Sequence, residues 1–402
     1  MRAFNLFRTG VSAAAFTLAV GASAADVQPP PTPVATPAGW TLTALGTLGG
    51  DSSWANGIND AGQVVGRADT SLLAPENYGR RGFNANGQIV RDPYYGHAFL
   101  YYDGKMQDLG VLDGESSEAT GINSSGQVVG TITGARFGQR AFLFSDGKMG
   151  KIDGLGGGSS LAVGINAAGD ILGRYDGISK VQGNNEPFLY HGGKVQDVDF
   201  DVFFGGSERN SHPYTWVSGL NDAGWIIGYS EDFMEDKGFA FIHHPEGWME
   251  FIGFFPSAIN AAGQVVGQGT DSTNGWAMHA ILYSGGRERD LVGSAGAYSS
   301  ARAINASGQV VGVYGPDAAR KQPIQGRAFL YRDGKLLDLN DLVGDPALAK
   351  AGFNVLYSAT GINARGQIVG TGQDRNGHDM AFLLTPPPAE TKTPPAVKAD
   401  KP

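Results

Sequence analysis

Apolar residues in this chain come in short runs, and each run is cut by a turn signal before it is long enough for a helix. Val64-Val65 follows the cut Asn59-x-x-Gly62, and Phe99-Leu100-Tyr101 precedes the cut Asp103-Gly104. In the first pattern the Asn side chain can start a turn on its own backbone while Gly62 takes positive φ, so Ile58 and Val64 are predicted on two strands of a hairpin. In the second, Asp-Gly is the preferred two-residue turn between antiparallel strands.

Both patterns recur. GINDAGQVVG at residues 57–66 returns as GINSSGQVVG at 121, GINAAGDILG at 164, GLNDAGWIIG at 219, AINAAGQVVG at 258, AINASGQVVG at 303 and GINARGQIVG at 361. A second segment alternates with it: HAFLYYDGKMQDLG at 97, RAFLFSDGKMGKIDG at 140, PFLYHGGKVQDV at 187, GFAFIHHPEGWMEFIG at 238, HAILYSGGRERDLVG at 279, RAFLYRDGKLLDLN at 327 and MAFLLTP at 380. One copy of each makes a unit of four strands, a to d, which in the first unit fall near residues 53–58, 63–66, 97–102 and 105–109. Seven such units of roughly 49 residues predict an all-β, seven-bladed β-propeller with four antiparallel strands per blade. The last unit stops after its third strand, and a spare strand, WTLTALGTLGG, precedes the first. The N-terminal strand is therefore expected to complete the last blade and close the ring.

The paired motifs resemble those of the bacterial extracellular HAF repeat family, named for the tripeptide seen at His97-Ala98-Phe99. The resemblance covers residues 40–385 and implies an exported repeat protein. Arg140 and Arg327 stand where the His would be, and Ile281 where the Phe would be, so the first position of the tripeptide does not read as chemically required.

Composition sharpens the picture at the ends. Arg2 and Arg8 flank the start of the apolar run at 11–20, which is followed by Ala22-Ser23-Ala24, so residues 1–24 read as a cleaved signal peptide. Residues 25–39 read as a Pro-rich linker, 40–385 as the propeller and 386–402 as a Pro-rich disordered tail. The expected location is the periplasm or the extracellular space. The net charge of −9, becoming −11 once Arg2 and Arg8 are lost, argues against nucleic acid as a partner, and no segment predicts membrane insertion. The chain is expected to be a monomer.

Chemistry is sparse. The absence of Cys removes thiolate nucleophiles and zinc thiolates, no His pair has metal-ligand spacing, and DVDFD at 197–201 lacks the Gly and distal Glu of a calcium loop. No catalytic residue, metal site or cofactor is predicted. His243-His244, in a widened c-to-d turn, reads as a solvated pair. The tight a-to-b and c-to-d turns fall on one face, whereas long connections at 67–96, 174–186, 199–215, 268–278, 313–326 and 340–357 fall on the other, the expected working face.

Strand a should start at that face beside the channel, so five positions before each repeated Asn come candidate rim residues: Trp54, Glu118, Leu161, Trp216, Phe255, Ser300 and Ser358. Trp54, Glu118, Trp216 and Phe255 are the candidate ligand contacts, together with His212. Arg80, Arg81, Tyr94 and Tyr95 join them from the insertion at 67–96, which reads either as a binding loop or as an extra hairpin echoing the repeat through NANGQIV. The function expected is noncatalytic binding of an extracellular protein or polysaccharide. The alternatives are a carbohydrate hydrolase or lyase with its site at the channel mouth, and a structural protein of the cell envelope.

Overall fold

A computed structural model of the chain describes residues 32–74, 81–83, 89–91, 94–136, 138–155, 158–176, 185–198, 214–232, 237–270, 278–292, 298–315 and 326–388. Seven antiparallel sheets follow one another in chain order around an axis. Their inner strands a are Gly49–Ile58, Ser116–Ile122, Ser160–Ile165, Tyr214–Leu220, Phe255–Ile259, Tyr298–Ile304 and Val355–Ile362. Each lies beside the strands a of its two neighbours, the seventh against the first.

The seam is closed as the truncated last unit requires. Thr41–Ala44 is the fourth strand of blade 7 and pairs antiparallel with its third strand, Asp379–Thr385, in the register Thr41↔Thr385 to Ala44↔Phe382. Trp40, Leu42, Ala44 and Leu45 are buried there. A fifth strand, Val34–Ala35, pairs outside Thr41–Leu42, so part of the stretch read as a linker is packed on the sheet. The cause is local: the Thr36 side-chain oxygen accepts from the Trp40 amide, the Thr36 amide donates to the Trp40 carbonyl and the Thr36 carbonyl accepts from the Gly39 amide, folding the Pro-rich segment back onto the sheet.

The repeated Asn explains the repeated decapeptide. In every blade its Oδ1 accepts the backbone N–H four residues on, at 2.9 to 3.0 Å, which fixes the a-to-b turn. Its Nδ2 donates to the carbonyl of the same Asn in the next blade: Asn59 to Asn123, then to Asn166, Asn221, Asn260, Asn305, Asn363 and back to Asn59, at 2.9 to 3.4 Å. The Gln or Asp four positions later takes the second Nδ2 hydrogen in all blades but the fourth, which carries Trp225. A buried amide has two donors and one strong acceptor to satisfy, and outside blade 4 this arrangement uses all of them in a closed girdle.

The remaining motif residues have equally local reasons. Strand a carries a bulge ahead of its Asn, which pushes a strand a carbonyl toward the Gly of strand b. A Cβ on Gly130 would sit 2.0 Å from the Glu118 carbonyl oxygen and 2.8 Å from the Phe142 ring. The Phe of the second segment fills the space beneath this glycine; Phe99, Phe142, Phe188, Phe241, Phe329 and Phe382 are all fully buried. Gly130→Ala is accordingly expected to lower stability by about 1–3 kcal/mol through overpacking, read as a fall in the melting temperature with the circular dichroism spectrum retained. The Ala of the tripeptide joins blades: the amides of Ala98, Ala141, Ala280 and Ala381 donate to Ser117, Ser160, Ser299 and Ser53 of the following blade.

The variable first position of the tripeptide has a role on the rim. His97 Nδ1 lies 2.9 Å from Asp108 Oδ2, His279 Nδ1 lies 2.7 Å from Asp290 Oδ2, and Arg327 pairs with Asp338. In these three blades a donor that reaches the strand d carboxylate serves, so His97, His279 and Arg327 fill the same role; in blade 2, Lys151 stands at the carboxylate's position. Asp338 also caps the helix that follows, accepting from the Asn340 amide at 2.7 Å, and accepts from the Tyr314 hydroxyl at 2.7 Å. Burial and the Asp338 bond push the Tyr314 phenol up to about 12; burial and a bond to Glu250 do the same for Tyr283. Unfolded, both titrate near 10.0, so their contribution to stability is intact below that pH and is lost as the pH rises toward 12. Tyrosinate absorbance should show a late step near pH 12 in the native protein, reduced in Tyr314→Phe; a single step near 10 would contradict the packing.

Two features correct the expectations. The connection at 340–357, predicted as a long variable loop, contains the helices Leu339–Val343 and Asp345–Lys350, whose Leu339, Val343, Ala347 and Leu348 are buried against blade 7. His244 is not solvated: it is 2% exposed, stacked on Trp248 at 3.5 Å and 8° and edge-on to Trp225 at 4.1 Å. Trp225, the residue that replaces Gln in blade 4, built this sandwich, and burial holds the His244 imidazole below its usual pKa.

Candidate functional site

Strand a of each blade enters from the face that carries the b-to-c and d-to-a connections, so its first residues surround the mouth of the channel. Each candidate rim residue is paired across to strand b: Trp54 to Arg67, Glu118 to Thr131, Trp216 to Tyr229 and Phe255 to Gln268. This register decides which rim residues can share a surface.

Trp216 and Phe255 come together. Between blades 4 and 5 lies a cleft of about 300 Å³ lined by Trp216, Ser218, Tyr229, Phe255 and Pro256. The Trp216 and Tyr229 rings stack with centroids 6.2 Å apart at 25°, and Tyr229 meets Phe255 at 4.6 Å and 53°. Phe255 remains 49% exposed, because the preceding Phe254 takes the buried position and Phe255 points to the mouth. Tyr229 has room because residue 238 is Gly, where a Cβ would lie 1.8 Å from the Tyr229 hydroxyl oxygen. Burial and the neighbouring Glu231 charge raise the Tyr229 phenol pKa, so it stays a neutral hydroxyl. The cleft offers two or three aromatic faces, two hydroxyls and no charge.

Trp54 belongs to another seam. Its Nε1 donates to Asp379 Oδ2 at 3.0 Å across the closure between blades 7 and 1, and the Arg67 guanidinium lies 5.1 Å above its ring. Arg67 and Asp69 are both buried, 3.4 Å apart. The Tyr357 hydroxyl bonds to the same Asp379 carboxyl, and burial pushes Tyr357 well above the ordinary phenol range. Burial also raises Asp379, against the bonds from Trp54 and Tyr357. Glu118 accepts from Asn56 Nδ2 at 3.0 Å, which ties blade 2 to blade 1.

The other candidates separate from the mouth cleft or lie outside the described residues. His212 and Arg80 are outside them. Arg81 is in a two-stranded hairpin, Arg81–Phe83 with Ile89–Arg91, so the insertion follows the extra-hairpin reading. Tyr94 and Tyr95 are half-buried at the start of strand c of blade 1, where the Tyr95 carbonyl accepts from the Thr70 hydroxyl. Tyr229, Ser218, Pro256, Tyr357 and Asp379 were missed. Tyr229 had a signal, since the residue five after its own turn faces Trp216 across the hairpin; Asp379 had none, because its partner is about three hundred residues away in the chain.

Among the described residues no three His, Asp or Glu side chains are grouped to hold a metal ion, and no helix is long and apolar enough to cross a membrane. No protein-family model matches the chain, and no curated protein sequence matches it. The chain is similar in structure to the β-propeller domain of the Trilobed protease from Pyrococcus furiosus, with 10% identity and a TM-score of 0.51, over 83% of this chain and 94% of that one. The protein is a seven-bladed β-propeller. That relative has an open velcro topology, whereas the propeller here is closed by strand pairing between its two ends. AofleA from Arthrobotrys oligospora (10% identity, TM-score 0.39, 74% of this chain and 89% of that one) and the fucose-specific lectin from Aleuria aurantia (11%, 0.33, 66% and 93%) are more distant. At these identities the likeness shows the fold alone.

Proposed function

We propose that this propeller is an exported, noncatalytic recognition protein of the HAF repeat type, and that it binds an extracellular polysaccharide or protein at the channel mouth. The observation that carries this reading is the uncharged aromatic cleft between blades 4 and 5, where Phe255 is held half-exposed beside Trp216 and Tyr229. Exposing such a ring costs stability that burial would recover, and aromatic faces with nearby hydroxyls suit a ligand with apolar faces and polar edges. The paired repeat motifs and the charged-then-apolar start of the chain support the family and the export.

The test is binding to a broad glycan array with the parent protein and Trp216→Ala. Trp216 is partly exposed, so the variant is expected to fold and to lose at least about tenfold in affinity. Glycan binding that survives unchanged in Trp216→Ala contradicts the site. No glycan binding directs the same comparison to extracellular proteins.

One observation favours an enzyme: the Asp379 carboxyl, raised by burial and held by Trp54 and Tyr357, has the environment of a general acid. Glycan turnover that disappears in Asp379→Asn would establish that alternative.

A further inference from the structure

The seven inner strands carry three charged residues: Asp51, Glu118 and Arg302. Glu118 is engaged by Asn56. Arg302 is exposed and, among the described residues, has no ion-pair partner. It is the only cation on the described inner strands.

Its position fixes where it points. Arg302 stands three residues before Asn305, in register with Asn56, Thr120, Ser218 and Thr360 of other blades. The side chains in this layer reach toward the next blade: Asn56 to the Ala119 carbonyl, Thr120 to the Ala162 carbonyl, Thr360 to the Ala55 carbonyl. Ser218 in the same layer lines the aromatic cleft. Arg302 therefore faces blade 7, where its charge is felt by Tyr357, opposing that phenol's rise. The cleft lies at the seam of blades 4 and 5, and Arg302 two seams further round the same channel. Ser257 and Ser300, small and polar, stand between them.

We propose, resting on the cleft being the binding site, that the ligand is an acidic polysaccharide whose sugar units carry carboxylates. One ring lies with its C–H face on Trp216 and Phe255, and the carboxylate of a neighbouring unit takes the Arg302 guanidinium, whose planar donor pair matches a carboxylate. The overall charge of −9 repels anions at long range, so this selectivity is set at contact by Arg302 rather than by the field of the whole protein.

The experiment is isothermal titration of the purified protein with short oligomers of galacturonate, glucuronate and mannuronate, each against its uncharged methyl ester. The expected result is that at least one acid binds about tenfold more tightly than its ester, and that Arg302→Gln removes this difference while leaving ester affinity within about twofold. Trp216→Ala should weaken acid and ester together. Equal binding of acid and ester, or an acid preference that survives Arg302→Gln, overturns the proposal and leaves the cleft standing. Binding of neither form, or binding of both that ignores Trp216→Ala, overturns the proposal along with the glycan reading of the cleft. Melting curves of both variants matching the parent exclude misfolding as the cause.

Discussion

Deleting residues 40–46 abolishes the cooperative unfolding of the protein. The deletion removes Trp40, Leu42 and Leu45, each 3% exposed or less, and leaves the third strand of blade 7 without its outer partner. At about 1.5–3 kcal/mol for each large buried side chain, the apolar loss alone is about 4.5–9 kcal/mol, comparable to the net stability of an ordinary domain. The bared edge of Asp379–Thr385 adds a surface that can pair with another molecule, so aggregation should accompany the loss. Calorimetry of the truncated and parent proteins checks this. A truncated protein that melts with the same enthalpy and midpoint would show that the ring does not depend on its closing strand.

The second large effect belongs to the girdle. Asn363→Ala removes the donor to the Asn59 carbonyl across the closure and the acceptor for the amides of Arg365 and Gln367. Asn363 and Asn59 are 3% and 6% exposed, so the Asn59 carbonyl is left buried with no water to replace the amide, and the two part-buried turn amides lose their acceptor. The expected cost is about 2–4 kcal/mol, the sum of one or two unsatisfied buried groups. Asn376→Ala is the control: its side chain bonds only Asp374 in an exposed turn, and it should change stability by no more than about 0.5 kcal/mol. Denaturant unfolding of the two variants compares them directly, and equal costs would mean that the girdle adds nothing beyond an ordinary turn.

The architecture was legible because its determinants are local and repeated. Asn-x-x-Gly and Asp-Gly each specify a turn through their own backbone preferences, as Asp103, Asp146 and Asp333 do with φ of 50–53°. Seven repetitions then fix the blade count, and the phase of the two ends fixes the closure. The girdle was not legible, since the Nδ2 of each Asn reaches a carbonyl some forty to sixty residues away, and in one case over three hundred. Short-range reading could see that Asn starts a turn but not that its second donor crosses to the next blade.

The site was legible in part for the same reason. Position relative to the Asn selected Trp216 and Phe255, which the structure brings together in one cleft, and also Trp54, which long-range pairing with Asp379 commits to the closure seam. His244 was misread because a turn residue is solvated only if nothing folds over it, and here Trp225 and Trp248 do. The helices at 339–350 were hidden behind Asp338, which ends strand d and caps the first of them.

Closure by pairing of the two chain ends underlies every other statement about this propeller, and one cross-link tests it. The chain contains no Cys, so Thr43→Cys with Leu383→Cys introduces a single possible disulfide between directly paired residues. Paired antiparallel residues lie about 4.5–5.5 Å apart at Cα, inside the range a disulfide spans. The structure predicts that the folded double variant oxidises completely under mild conditions, migrates faster on a non-reducing denaturing gel and melts at a higher temperature than its reduced form. Two thiols that stay free and reactive in the folded protein would show that the ends are not paired and that the ring is open.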